Sequence, residues 1–111
     1  MKIEQSQQGT VTVITPIGAL VDDDRVQLAG LIEKHIQHGK VKIIIDMNAV
    51  PFIESEGLEM LLDSCESAAA ASGGIRIANP SDTVADILKA TRLCNFVEVH
   101  ADLAGARRSL L

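Results

Sequence analysis

Between an apolar strand-like run and a leucine-rich helical pattern, the chain places Glu54-Ser55-Glu56-Gly57, a hydroxyl between two carboxylates with a glycine behind it. A serine where a strand hands over to a helix can cap that helix, its oxygen accepting a hydrogen bond from a first-turn N–H. Glu54 and Glu56 would suit the positive end of the helix dipole. The same free N–H groups make the position an anion site, so a phosphate carried on Ser55 would add about −1.5 to −2 of charge at one exposed point. Gly57, lacking a side chain, would let the backbone of another protein approach. Ser55 therefore has two readings, a helix cap and a modifiable hydroxyl. Glu54, Ser55, Glu56 and Gly57 form the candidate contact centre.

The other chemistry-bearing residues read more plainly. Asp22-Asp23-Asp24 lacks the alternating oxygen ligands, central glycine and distant glutamate of a calcium loop, and suits the acidic first turn of a helix. His35 and His38 fall in the last turn before Gly39, where a helix end favours cations over a shared metal. His100 is isolated. Cys65 and Cys94 lack CxxC spacing, and buried, reduced packing thiols are expected, without disulfide or zinc. Gly73-Gly74 ends a helix before a strand, the reverse of the strand–glycine–helix order that cradles phosphates. Ser64 and Ser67 fall within a helical stretch. With no nucleophile and base, no phosphate loop and no facing carboxylates, neither an enzyme nor a cofactor nor a metal is expected.

Periodicity supplies the elements that must hold these residues. Strands are predicted at Ile3–Gln7, Thr10–Pro16, Val41–Ile45, Ile75–Ala78 and Phe96–Val99. Helices are predicted from Asp24 to Gln37 with Leu28, Leu31, Ile32 and Ile36 on one stripe, and from Glu56 to Ala71 with Leu58, Leu61, Leu62 and Cys65 at helical spacing. Two more run from Ser81 to Thr91 and from Asp102 to Ser109. Gln8-Gly9 reads as the turn of an opening hairpin, Gly39 and Gly73-Gly74 as helix stops, and Asn79-Pro80-Ser81 as a strand end before a cap. The order predicts an α/β fold, a mixed sheet of four to five strands with about four helices and right-handed crossovers after the hairpin. Residues 1–111 are expected to form one domain, since this length supports a single core.

Composition narrows the function classes. The formal net charge is −5, and the Lys and Arg residues are scattered apart from Arg107-Arg108, which a helix end would accommodate. Nucleic acid is therefore not an expected partner. Phe52 and Phe96 are the only aromatics, so the core must be built from Val, Ile, Leu, Ala and Met. No apolar run approaches the roughly 20 residues of a membrane span, and no signal peptide opens the chain, so a cytoplasmic monomer or weak homodimer is expected.

The segment from Asp46 through Leu62 also resembles a family signature. An acidic strand end, a Pro51-Phe52 link, the apolar Ile53, then Glu54-Ser55-Glu56-Gly57-Leu58 and a leucine-rich helix are similar to the motif of STAS domains, shared by sulfate transporters and anti-sigma-factor antagonists. The likeness extends from Ile17-Gly18-Ala19-Leu20, through Gly73-Gly74-Ile75-Arg76-Ile77-Ala78, to Val84, Leu88 and Leu93. It implies a STAS-like fold and a protein that docks on an anti-sigma factor, often itself a serine kinase, which phosphorylates the serine at the position of Ser55 and thereby releases it. It also implies two rivals: an accessory subunit of a lipid or anion transporter, and a scaffold in a signalling assembly that is never phosphorylated. Two positions depart from the family pattern: Glu56 stands where a second hydroxyl is usual, and Val21 where an acid is common.

Overall fold

The run from Val41 to Ile45 is apolar except for Lys42 because both faces of its strand are covered: Ile43 and Ile45 enter one core and Ile44 another. In the computed structural model, which describes residues 1–111, this strand lies at the centre of a five-stranded sheet. The elements in chain order are β1 (Lys2–Gln8), β2 (Val11–Ile17), α1 (Asp22–Gln37), β3 (Lys42–Asp46), α2 (Ser55–Ala70), β4 (Gly74–Ala78), α3 (Asp82–Ala90), a 3-10 turn at Leu93–Asn95, β5 (Glu98–His100) and α4 (Leu103–Ser109). The strands lie side by side in chain order. β1 and β2 form the antiparallel hairpin, and every later neighbour is parallel. Parallel neighbours need crossovers, which α1, α2 and α3 provide. The mixed sheet with four helices is the architecture expected from the periodicities.

The helices are divided unequally between the two faces. Leu28 and Ile32 of α1, Met60, Leu61 and Ala68 of α2, and Val84 and Leu88 of α3 share the larger core with Ile14, Ile43, Ile45, Ile75 and Ile77. On the opposite face α4 alone covers the sheet, its Ala106 and Leu110 packing with Val11, Val13, Ile44 and Ala78. No helix is long and apolar enough to cross a membrane.

Several boundaries differ from expectation for local reasons. α1 starts at Asp22 in a left-handed conformation, with Val21 as the residue before the helix and no side-chain cap. β5 is shifted to Glu98–His100 because the 3-10 turn takes up the preceding residues, leaving Phe96 71% exposed. Ser81 caps α3 as expected, its Oγ accepting from the Val84 N–H at 3.3 Å.

The end of α2 uses its glycines in an unexpected way. The left-handed residue is Ser72, not a glycine, and the Gly73 N–H returns to the Ala68 carbonyl at 2.8 Å. Gly73 is required by space: a Cβ there would collide with the carbonyl oxygen and Cβ of Val41 at the start of β3. Because the obstacle is backbone, the strand itself would have to move. Gly73→Ala is expected to destabilise the chain by about 1–3 kcal/mol, toward the upper end, with the midpoint of urea unfolding as the measure; an unchanged midpoint would contradict the close approach.

Candidate functional site

The link from β3 to α2 is held by pegs and by a bridge. Met47, Val50 and Ile53 are buried at intervals of three, while Pro51 and Phe52 between the last two stay exposed. Asp46 Oδ1 accepts from the Asn48 N–H at 3.0 Å, and the Val50 N–H donates to the Met47 carbonyl, so the first part of the link is a tight turn. Ser81 Oγ also donates to the Val50 carbonyl at 2.9 Å, tying the link to the start of α3. Further on, Leu20 and Ile53 form a one-residue parallel bridge, with the Leu20 N–H donating to the Phe52 carbonyl at 3.0 Å and the Glu54 N–H reaching Leu20 O at 3.5 Å.

This anchoring sets the phase of α2. Burial of Ile53 makes Glu54 the capping residue, in extended conformation, and Ser55 the first helical residue. The expected Ser55 cap is therefore corrected by one residue. Neither side chain caps the helix: Glu54 accepts no first-turn N–H, and the exposed Ser55 hydroxyl makes no hydrogen bond within the chain. The N–H groups of Ser55, Glu56 and Gly57 lie in the first turn, where an α-helix offers no internal acceptor. Glu54 is half-buried and Glu56 exposed, so both carboxylates flank the serine at the helix start.

Gly57 has a different role from the one expected. It is buried, and a Cβ on it would lie 2.8 Å from Ile53 Cγ2 and 3.0 Å from the Leu20 carbonyl oxygen. The missing side chain thus lets α2 approach the chain's own Leu20–Ile53 bridge, and Gly57 is not part of the outer contact surface. Residues that the sequence reading left out take its place. Phe52, 45% exposed, lines an open groove of about 510 Å³ together with Glu54, Ser55, Leu58, Ile87 of α3 and Thr91 just past its end. The available signal was Phe52 itself, one of only two aromatics, set in an otherwise polar link.

The remaining candidates divide. Asp22 and Asp23 are exposed, and Asp24 lies 3.3 Å from the amino group of Met1. No group of three or more His, Cys, Asp or Glu side chains is placed to share a metal ion. His35 contacts Gln5 Oε1 at 2.8 Å, His38 the Lys34 carbonyl at 2.7 Å, and His100 the carboxylate of Glu98 at 3.2 Å. Ser64 is buried against Met60 Sδ, and Ser67 donates to Glu33 at 3.0 Å across the α1–α2 contact. Both cysteines are free, but the expectation of two buried thiols holds only for Cys65. Cys94 is exposed because the 3-10 turn lifts it from the core that Leu93 and Val97 enter.

These environments predict two outcomes. Ser81→Ala is expected to cost about 0.5–2 kcal/mol in urea unfolding, while Ser55→Ala, exposed and unbonded, stays within about 0.5 kcal/mol of the parent; the reverse order would place the cap at Ser55 after all. Burial pushes the Cys65 thiol up to about 11, with Arg76 pulling the other way and Glu66 adding to the rise. At pH 8 Cys65 therefore stays protonated, and iodoacetamide should modify Cys94 first, reaching Cys65 only after denaturation, as peptide mass mapping would report.

Comparison with known proteins bears on the whole chain. The profile of the STAS domain matches residues 2–106. No curated protein sequence matches the chain. Among solved structures, a Thermotoga maritima protein named as an anti-sigma factor antagonist superposes with a TM-score of 0.91 at 17% identity, covering 97% of this chain and 93% of that one. SpoIIAA in its unphosphorylated form gives 0.81 at 21% identity over 97% and 96% of the two chains; the Bacillus protein of that name, in its phosphorylated form, gives 0.73 at 20% over 97% and 99%. The murine anion transporter Solute Carrier 26 family member A9 gives 0.79 at 16%, covering 95% of this chain but only 18% of the transporter. At such identities these structures establish a shared fold, and the profile establishes the lineage: the chain belongs to the STAS domain family.

Proposed function

We propose that the chain is a binding module of the anti-sigma-factor-antagonist type. It docks on an anti-sigma factor or related serine kinase in the cytoplasm through the exposed start of α2, and it is switched by a phosphate on Ser55. The observation that carries this reading is the exposed, unbonded Ser55 hydroxyl on a first turn whose N–H groups have no side-chain cap, beside a groove bearing Phe52. Membership of the STAS family and the fold shared with SpoIIAA, known in unphosphorylated and phosphorylated forms, support it. Physically, the phosphate would place about −1.5 to −2 of charge where the helix dipole and free amides favour an anion. The same charge would sit on the rim of the groove and desolvate poorly against an apolar partner surface. Phe52, Leu58 and Ile87 give a docking partner apolar area, and Glu54, Ser55 and Glu56 give it a charged border.

The two glutamates set the threshold of the switch. Each carboxylate near 4 Å repels an incoming phosphoryl group by about 1 kcal/mol in water, and by more close to a protein surface. Modification would be slower than at a serine between neutral residues, and the unmodified chain already presents part of the charge of the phosphorylated form. A second reading, an accessory subunit of a membrane transporter, rests on the anion transporter that carries a domain of this fold.

The test is a pulldown from native cytosol with intact-mass analysis of the bound and unbound chain. The unbound pool should carry the mass of one phosphate, and Ser55→Ala should abolish that species while still capturing the partner. Glu54→Gln with Glu56→Gln should raise the rate of modification by about fivefold per charge removed. Retention of the same phosphate on Ser55→Ala would overturn the switch. Capture of a permease or transport ATPase, whatever residue stands at 55, would favour the second reading.

A further inference from the structure

The two edges of the sheet are unlike. β5, on one side, is three residues long, a length that limits pairing with anything else. β1, on the other, is seven residues long and pairs only with β2, so a row of its backbone N–H and C=O groups faces outward. It contains no proline, and its only charged residues, Lys2 and Glu4, lie toward one end. By the usual devices that blunt strand edges, this one is left open.

A groove runs beside that open edge, between β1 and α1. One part, about 440 Å³, is lined by Met1, Ile3, Gln27 and Gly30; the next, about 320 Å³, by His35, His38 and Lys40; and Gln5, Leu31 and Lys34 border both. The groove is thus apolar at one end and cationic at the other. No Asp or Glu lines it, although the chain holds 15 acidic residues against 10 Lys and Arg. His35 lies among these cations, and its pKa is held below the ordinary value first by burial and then by Lys40, Lys34 and His38.

We propose that this edge and groove form a second docking site that takes an extended, acidic segment of a partner protein as a sixth strand beside β1. Backbone pairing supplies affinity in such strand addition, and alternate side chains, about 7 Å apart, supply specificity. Here every second side chain of the segment enters the groove. An apolar one rests on Ile3 and Leu31, and a carboxylate a few residues away meets Lys34 and Lys40. A second copy of the chain is a poor occupant, because two-fold pairing of β1 with itself would bring two like cationic clusters to the shared edge. The site is separate from Ser55 and independent of its phosphorylation.

The probe is a set of short fluorescent peptides of alternating valine and threonine that carry a pair of glutamates at either end, with lysine counterparts. A glutamate peptide is expected to bind about tenfold more tightly than its lysine counterpart, and Lys34→Glu with Lys40→Glu to reverse the preference. Amide hydrogen exchange should show new protection confined to alternate residues of β1, unchanged in Ser55→Ala. Equal binding of acidic and basic peptides, or protection that appears elsewhere, would overturn the site. Protection of β1 in the free chain that grows with concentration would instead assign the edge to a second copy and remove the acidic partner.

Discussion

The start of α2 depends on one short contact between two stretches far apart in sequence, the bridge of Leu20 to Ile53 with Gly57 resting directly against it. The bridge carries two backbone hydrogen bonds, and the glycine allows the helix to come within reach of a carbonyl oxygen. Everything exposed around Ser55 follows from this. Ile53 turns inward, so Phe52 and Glu54 take the flanking directions, and the hydroxyl comes next on the outer side. A helix start held by backbone bonds and by the absence of a side chain needs no help from the polar residues at its surface.

That division explains how the candidate switch and the fold can occupy the same segment. A serine that capped its helix would be engaged in a hydrogen bond, and a phosphate placed on it would break the bond. Ser55 is one residue beyond the cap, while Ser81 performs the capping of α3 and also holds the Val50 carbonyl. The hydroxyl that anchors the fold and the one proposed to carry a phosphate are thus different residues on adjoining elements, and charge added at Ser55 would leave the hydrogen bonds of Ser81 intact.

Much of this was legible in the residues. The nearly continuous apolar run of β3, the leucine spacing of α2, the Gln8-Gly9 turn and the Ser81 cap announced the architecture, because each depends on local periodicity or on the chemistry of a single turn. The errors share a different origin. Whether Ser55 or Glu54 caps α2 is a matter of one residue of phase, and burial of Ile53 against Leu20 decides it from more than thirty positions away. Gly57 and Gly73 both look like glycines serving a turn or a partner, yet each is small because another part of the same chain passes close by. Cys94 looked like a core residue and Phe96 like the start of the last strand until a 3-10 turn displaced them, and nothing in the pattern of α4 told that it alone would cover the far face of the sheet.

The charge distribution follows the same separation of surfaces. Glu54 and Glu56 surround the free amides of the first turn of α2, where negative charge is favoured, and the groove beside β1 gathers Lys34 and Lys40 at the opposite type of helix end, where positive charge is favoured. Each cluster therefore has a local electrostatic reason to exist in the free chain. What local stability does not require is that the acidic cluster border an exposed phenylalanine, or that the basic one border the open edge of a strand. In both places an apolar or hydrogen-bonding surface lies next to charge of a single sign, the combination that lets a protein select a partner by sign and hold it by contact.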